Sequence, residues 1–599
     1  MRRMLHVFFA TLAVSLVMTR PAAAQAPEPI RYTLRFPAPQ THYLEVEAVF
    51  PTGRRAQVEL MMAVWTPGSY LVREYERHVE NLVAAADGKT LAVSKPVKNR
   101  WRIETGGAAS VTVTYQVYGR EMTVRNNWVE AGFAMLNGAP TFITLADEAP
   151  RPHEVRLELP AGWAGSATPL MPVAGQANHY RADDFDTIVD SPIIVGNPVV
   201  KTFEVDGKQH HLVLEGDPAL FDADRAAADV KKIVEAGKGV MGRLDYPYYF
   251  FLNMVVESGG GLEHKNAFLT MSSRYATRTP RAYVNWLNLV GHEYFHNWNI
   301  KRLRPVELGP FDYEHETYTK GLWIGEGFTD YYGALLVKRA GLSSSTEYLG
   351  ELSNTIDQVQ MRPGRLVQPV DMASFDTWIK QYRPDENSLN TSIDYYSKGA
   401  SIAFMLDAKI RKATGGARTL DTAMRQAYQR YSGAKGYTLD QFYAVMSEVA
   451  GIDLQPWFAD VVSSTKELDF TEALDFYGLR FTPVDPAGAR ATMGASTRDD
   501  NGRLVVTVVR RGTPAHEAGV NTGDEILAID DVRVRADGLT ARMDQYKVGD
   551  QVRLLVARRD RLVTLEVTLG PEPGRPWRLQ TRPDATAEQT SRLSAWLGQ

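Results

Sequence analysis

The sequence predicts a multidomain α+β protein, β-rich at its two ends and mainly helical in between. Between about residues 30 and 200, short runs alternate apolar and polar side chains, as in Tyr43-Leu44-Glu45-Val46-Glu47-Ala48-Val49-Phe50 and Val111-Thr112-Val113-Thr114-Tyr115-Gln116-Val117, with Gly, Pro and Asn between them. Period-two alternation broken by turn residues is the pattern of antiparallel strands with one buried face. From about 215 to 465 the apolar spacing becomes helical, for example over 222–239, 283–298, 325–340 and 399–413. Strand-like runs return beyond 470, in Leu504-Val505-Val506-Thr507-Val508-Val509 and Val552-Arg553-Leu554-Leu555-Val556.

The expected division is a signal peptide over 1–24, an N-terminal β-sandwich-like domain over 25–205, a mainly helical domain over 206–470, a third domain over 471–575 and a tail over 576–599. The signal is read from Arg2 and Arg3, the apolar stretch 5–18 and the small residues Ala22-Ala23-Ala24, and it implies export across the inner membrane to the periplasm. The apolar stretch is short for a bilayer span, so no stable membrane anchor is expected.

The chain carries 67 basic and 71 acidic residues and no Cys. That balance gives no support to nucleic-acid binding. Without Cys there is neither a disulfide framework nor a thiolate metal site, so any metal must be held by His and carboxylates.

In the third domain, Gly512-Thr513-Pro514-Ala515-His516-Glu517-Ala518-Gly519-Val520, followed by Gly523-Asp524 and the strand-like Ile526-Leu527-Ala528-Ile529, resembles a PDZ domain. Such domains capture C-terminal peptides, and Tyr477-Gly478-Leu479-Arg480-Phe481 is the segment that resembles their carboxylate-binding loop.

Chemistry concentrates in His292-Glu293-Tyr294-Phe295-His296, an H-E-x-x-H pattern inside a helical run. Residues four apart share a helix face, so His292 and His296 can reach one zinc ion while Glu293 sits beside them as a general base. A catalytic zinc site needs a third protein ligand and an open position. Downstream, Leu322-Trp323-Ile324-Gly325-Glu326-Gly327-Phe328 resembles the L-W-L-N-E-G-F-A run of membrane alanyl aminopeptidases, thermolysin-like enzymes, and this implies Glu326 as that ligand. Asp330, one turn on, shares its face and suits a hydrogen bond to a ligand imidazole, unless it is an ordinary surface Asp.

The run from His292 through Asn297-Trp298-Asn299-Ile300-Lys301-Arg302-Leu303-Arg304-Pro305, the Gly259-Gly260-Gly261-Leu262-Glu263-His264 segment, the Trp65-Thr66-Pro67-Gly68-Ser69-Tyr70-Leu71-Val72-Arg73-Glu74 motif and the PDZ-like end together resemble the bacterial glycyl aminopeptidases, over nearly the whole chain. The resemblance implies a thermolysin-like zinc peptidase domain with one Zn²⁺ per chain. It implies that Gly260 and Gly261 lie on an edge strand that pairs with substrate, and that Glu263 grips the substrate amine. His264 departs from the G-x-M-E-N segment of the alanyl type, where Asn stands. Tyr396-Ser397-Lys398-Gly399 matches the Y-x-K-G segment whose Tyr steadies the oxyanion, with Tyr395 as the alternative. Phe311-Asp312-Tyr313-Glu314-His315-Glu316, between the two metal-binding segments, could line the site but reads first as a solvated loop.

The expected function is removal of an N-terminal Gly or Ala from peptides by zinc-activated water, with Glu293 as base. Two other readings stay open. One is a PDZ-guided periplasmic endopeptidase, and the other a peptide-binding protein with a vestigial site. Physiological substrate and oligomeric state are beyond the sequence.

Overall fold

The computed structural model describes residues 27–147, 150–482, 489–572 and 577–598, so the expected signal peptide lies outside the described residues. The N-terminal region is β-rich, as its alternation predicts. An eight-stranded sheet and a four-stranded sheet share one apolar core. Strand Tyr43–Pro51 shows the cause directly: Leu44, Val46, Ala48 and Phe50 are buried, while their neighbours are partly exposed. Pairing is antiparallel except where Ile30–Arg35 runs parallel to His153–Glu158.

The middle region is built on a five-stranded sheet and a set of helices around one large core. In chain order its strands are β1 (Val199–Val205), β2 (Lys208–Gly216), β3 (Tyr248–Val255), β4 (Gly260–Glu263) and β5 (Ala267–Ser272). Their spatial order is β1-β2-β3-β5-β4, which leaves β4 as an edge strand. Strands β2, β3 and β5 run parallel and β4 runs antiparallel to β5. Because β1 already pairs with β2, the chain joins this sheet before the expected boundary at 205.

Four helices frame the centre of this region: α1 (Ala223–Met241), α2 (Pro280–Phe295), α3 (Gly327–Arg339) and α4 (Tyr395–Ala413). Helix α2 starts where Thr279 accepts a hydrogen bond from the Ala282 N–H and Pro280 supplies a preset φ. It crosses α3 at glycines: a Cβ on Gly291 would lie 2.5 Å from the Gly333 carbonyl oxygen. A second glycine crossing, Gly327 on Gly399, joins α3 to α4. Side chains at either crossing would force the helices apart, since packed backbones at this distance leave no room for a methyl group.

Two expectations are corrected by the packing. Phe311-Asp312-Tyr313-Glu314-His315-Glu316 is not a solvated loop as a whole. The Tyr313 ring lies 5.2 Å from Phe185 and 6.4 Å from Trp65, and the Glu314 carboxylate is bound by Arg100 at 2.5 Å. This segment wedges aromatic rings between the N-terminal and middle cores, and Asp312, His315 and Glu316 are its exposed residues.

Nor is the C-terminus a tail. Leu579–Thr581 pairs with Leu479–Phe481, and α5 (Ala587–Leu597) buries Leu593, Trp596 and Leu597 in the middle core. The Trp596 indole stacks on Tyr477 at 4.5 Å and donates to the Tyr331 hydroxyl at 2.7 Å. Tyr477-Gly478-Leu479-Arg480-Phe481 therefore belongs to this packing and not to a carboxylate-binding loop. The PDZ-like sheet, with strands Ala495–Asp500, Arg503–Val509, Glu525–Ile529, Gln551–Arg558 and Arg561–Thr568, has its own core and emerges between those two paired strands. Among the described residues no helix is long and apolar enough to cross a membrane.

Candidate active site

The last turn of α2 and the first turn of α3 put three potential ligand atoms in one place. Nε2 of His292 and Nε2 of His296 lie 3.0 Å apart, and Oε2 of Glu326 lies 3.2 Å from the second and 3.7 Å from the first. Ligand bonds of about 2.0–2.1 Å in tetrahedral geometry separate donor atoms by about 3.3 Å, which this triangle matches. The glycine crossing at Gly291 and Gly333 is what permits it.

The outer ring nitrogens are fixed. Nδ1 of His292 lies 2.7 Å from Oδ1 of Asp330, and Nδ1 of His296 donates to the Asn299 carbonyl at 3.0 Å. Those two bonds put both Nδ1 protons outward and leave both Nε2 lone pairs facing Glu326. Three acceptors facing one another favour a cation between them. Burial opposes charge on Glu326, but His296 and His292 outweigh it and hold its pKa down to about 2. Burial disfavours the His292 imidazolium, and Asp330 with Glu326 reverses this, raising its pKa well above the usual value. The pocket therefore suits a divalent ion with N and O ligands.

Asn299 is a residue that sequence reasoning missed. Its side-chain amide donates to the carbonyls of Ile324 and Gly325, at 2.9 and 3.1 Å, tying the end of α2 to the segment that carries Glu326. Ile300, next in the chain, has φ +89°, a strained value for a β-branched residue. Its amide is held by the Leu303 carbonyl at 2.8 Å.

Glu293 projects toward the edge strand, where its carboxylate fills the place of a side chain at Gly261. Burial pushes its pKa up to about 7; the two imidazoles pull it down, and Glu263 and Glu326 add to the rise. Carboxylate oxygens of Glu263 and Glu293 and a ring nitrogen of His296 all lie within 4.8 Å of one another. Gly261 and Glu263, two apart on one strand, present the same face. Gly260, at the start of β4, is exposed.

Of the two candidate tyrosines, Tyr395 is fully buried with its hydroxyl 2.9 Å from Thr377 Oγ1. Tyr396 instead lies over the site, its ring stacked on that of His292 at 6.3 Å, with burial raising its pKa well above 10. A third ring, Tyr382, was not anticipated. Its hydroxyl donates to the Gly68 carbonyl at 3.0 Å, and burial pushes its pKa up to about 12.

Gly68 explains why the Trp65-Thr66-Pro67-Gly68 motif matters. With φ +85° it turns the N-terminal chain directly over Glu263, and a Cβ there would lie 2.5 Å from that carboxylate. The sequence signal was the motif; its destination was not readable. His264 also gains a role, for its Nδ1 lies 3.1 Å from Asp190 of the N-terminal region, which Lys301 reaches at 2.7 Å.

A mixed α+β architecture, an H-E-x-x-H helix, a carboxylate on the next helix and a PDZ domain together define a peptidase of the aminopeptidase class. Family models match the chain in the same order: the Peptidase M61 N-terminal domain over residues 31–197, the M61 glycyl aminopeptidase over 285–402 and a PDZ domain over 491–569. The chain belongs to the M61 glycyl aminopeptidase family. A solved aminopeptidase N family protein from Idiomarina loihiensis is 30% identical, with a TM-score of 0.88 over 95% of this chain and 100% of its own. A mutant M1 zinc metallopeptidase from Deinococcus radiodurans, bound to a Tyr-Ser-Ala substrate, is 13% identical, with a TM-score of 0.46 over 74% of this chain and 95% of its own. No curated protein matches the chain.

Proposed function

We propose that this peptidase is a zinc aminopeptidase that removes a small N-terminal residue, Gly or Ala, from peptides. The observation that carries the reading is the carboxylate of Glu263 beside Glu293 and the imidazole triangle, at the closed end of an edge strand. Zinc held by His292, His296 and Glu326 would polarise both water and the scissile carbonyl. Glu293, with a pKa near neutrality, accepts a proton from the attacking water and returns it to the leaving amine. The Tyr396 hydroxyl donates to the developing oxyanion. Glu263 pairs with the substrate α-ammonium, and the backbone of Gly260 and Gly261 pairs with the peptide.

Gly68 and Tyr382 close the space beyond Glu263, which supports a small first residue and an exopeptidase over an endopeptidase. An intact ligand triangle and a buried base argue against a vestigial site. The PDZ domain is proposed to bind a C-terminal peptide. Cleavage of alanyl and glycyl p-nitroanilides, loss of it with chelator and recovery with zinc are the expected results. Equal cleavage of N-acetylated peptides would sink the exopeptidase reading.

A further inference from the structure

The far end of the edge strand from Glu263 carries a feature that this chemistry does not use. Arg125, on an N-terminal-region loop, reaches over β4: its Nη2 lies 3.5 Å from the Gly261 carbonyl, and its Nη1 lies 3.9 Å from where a Cβ on Gly260 would stand. Its Nε is buried without a partner, and so is Nε of neighbouring Arg73, which otherwise donates only to Ser69 Oγ at 2.8 Å. Among the described residues neither guanidinium has an ion-pair partner. The carboxylate that bears on Arg73, Glu121, is exposed and already engaged by Asn126 and His78.

Both guanidiniums are half-buried, and the charge of Arg125 bears unfavourably on Arg73, a cost that protein surfaces avoid unless an anion offsets it. The loop is also built to stay in place. The Asn127 side chain accepts from the Asn137 amide at 2.8 Å and donates to Thr141 Oγ1 at 2.9 Å. An Arg on a rigid loop, with its planar fork of donors, is suited to a carboxylate.

Strand direction says which carboxylate. A peptide whose amine sits at Glu263 and whose backbone pairs with the free edge of β4 runs toward Gly260 and so toward Arg125. At about 3.4 Å per residue, the two residues from Glu263 to Gly261 span about 7 Å. That is the length between the amine and the carboxylate of a peptide of two or three residues. We propose that Arg125, assisted by Arg73, binds the C-terminal carboxylate of such short peptides, so that the enzyme is tuned to di- and tripeptides. The inference rests on the aminopeptidase reading for the direction of the bound chain.

Binding to zinc-loaded Glu293→Gln protein, where turnover is suppressed, tests it by calorimetry. Ala-Ala-Ala is expected to bind about tenfold or more tightly than Ala-Ala-Ala-amide. Adding Arg125→Ala should bring the ratio close to one, and Arg125→Lys should keep part of it. Equal binding of acid and amide overturns the proposal without any Arg125 variant having to fold. So does a ratio that survives Arg125→Ala, or a gain that follows the Glu side chain in Ala-Glu-Ala-amide in place of the terminus. An active wild-type enzyme with no acid preference defeats this inference alone. Acid preference in a protein that cleaves no alanyl substrate defeats the aminopeptidase reading instead.

Discussion

Two buried polar clusters lie on either side of β4, and they are built on opposite principles. Around Asp190, charges are matched: Lys301 at 2.7 Å, His264 at 3.1 Å and the Lys265 amide at 2.7 Å all donate to one carboxylate, whose pKa is driven far down despite its burial. In the His292, His296 and Glu326 triangle, acceptors face acceptors, and the donors all point outward to Asp330 and Asn299. In the first cluster the carboxylate is satisfied by protein donors, and it joins two regions of the fold. The second sets three acceptors face to face, an arrangement that could hold a cation, where the other ties parts of the fold together.

Substitutions can break or sharpen this contrast. The largest effect is expected for Glu293→Gln, which should lower kcat on alanyl p-nitroanilide by about 10³-fold or more while metal content stays at one zinc per chain. A kcat within tenfold of wild type would remove Glu293 as the base. Lys301→Ala should do the reverse, destabilising the protein by about 3 kcal/mol in chemical denaturation, because the Asp190 charge is left buried. Metal content should not change; loss of zinc in this variant would erase the distinction between the clusters. Asp330→Asn is expected to weaken metal affinity or activity by about 10–100-fold through the His292 ring. No change in a competition titration with chelator would make Asp330 an ordinary helix-surface acid.

The smallest effect shows what burial does to an imidazole with no carboxylate bonded to it. His153 stacks on Tyr32 and bonds Thr144 Oγ1 at 3.2 Å, and burial lowers its pKa to about 4. Since the unfolded chain binds this proton near pH 6.5 and the folded one does not, its contribution to stability is full above pH 6.5 and is lost as pH falls toward 4. About 1 kcal/mol should go between pH 6.5 and 5.5. Urea midpoints at those two pH values, compared with His153→Gln, read it. An equal slope in the variant would assign the loss to other groups.

The domain order, the strand alternation and the helix carrying H-E-x-x-H were legible because each is local. The spacing of His292 and His296 follows from one helical turn, and the pattern of Tyr43–Pro51 from one pleat. The C-terminal helix was missed for the same reason: Trp596 makes an ordinary sequence neighbour of Leu597, and only its stacking on Tyr477 gives it a place in the core.

By itself, then, the sequence determined which residue types could do the chemistry and, through helical and strand periodicity, which of them share a face. The tertiary structure decided the distances. Glycine crossings at Gly291–Gly333 and Gly327–Gly399 set how near Glu326 and Tyr396 come to the imidazoles, and Gly68 brings a remote loop onto Glu263. The Tyr395 hydroxyl is committed to Thr377, whereas the Tyr396 ring stacks on that of His292. The physical reason is that periodicity is a property of neighbours along the chain, whereas a helix crossing depends on the bulk of residues far apart in it.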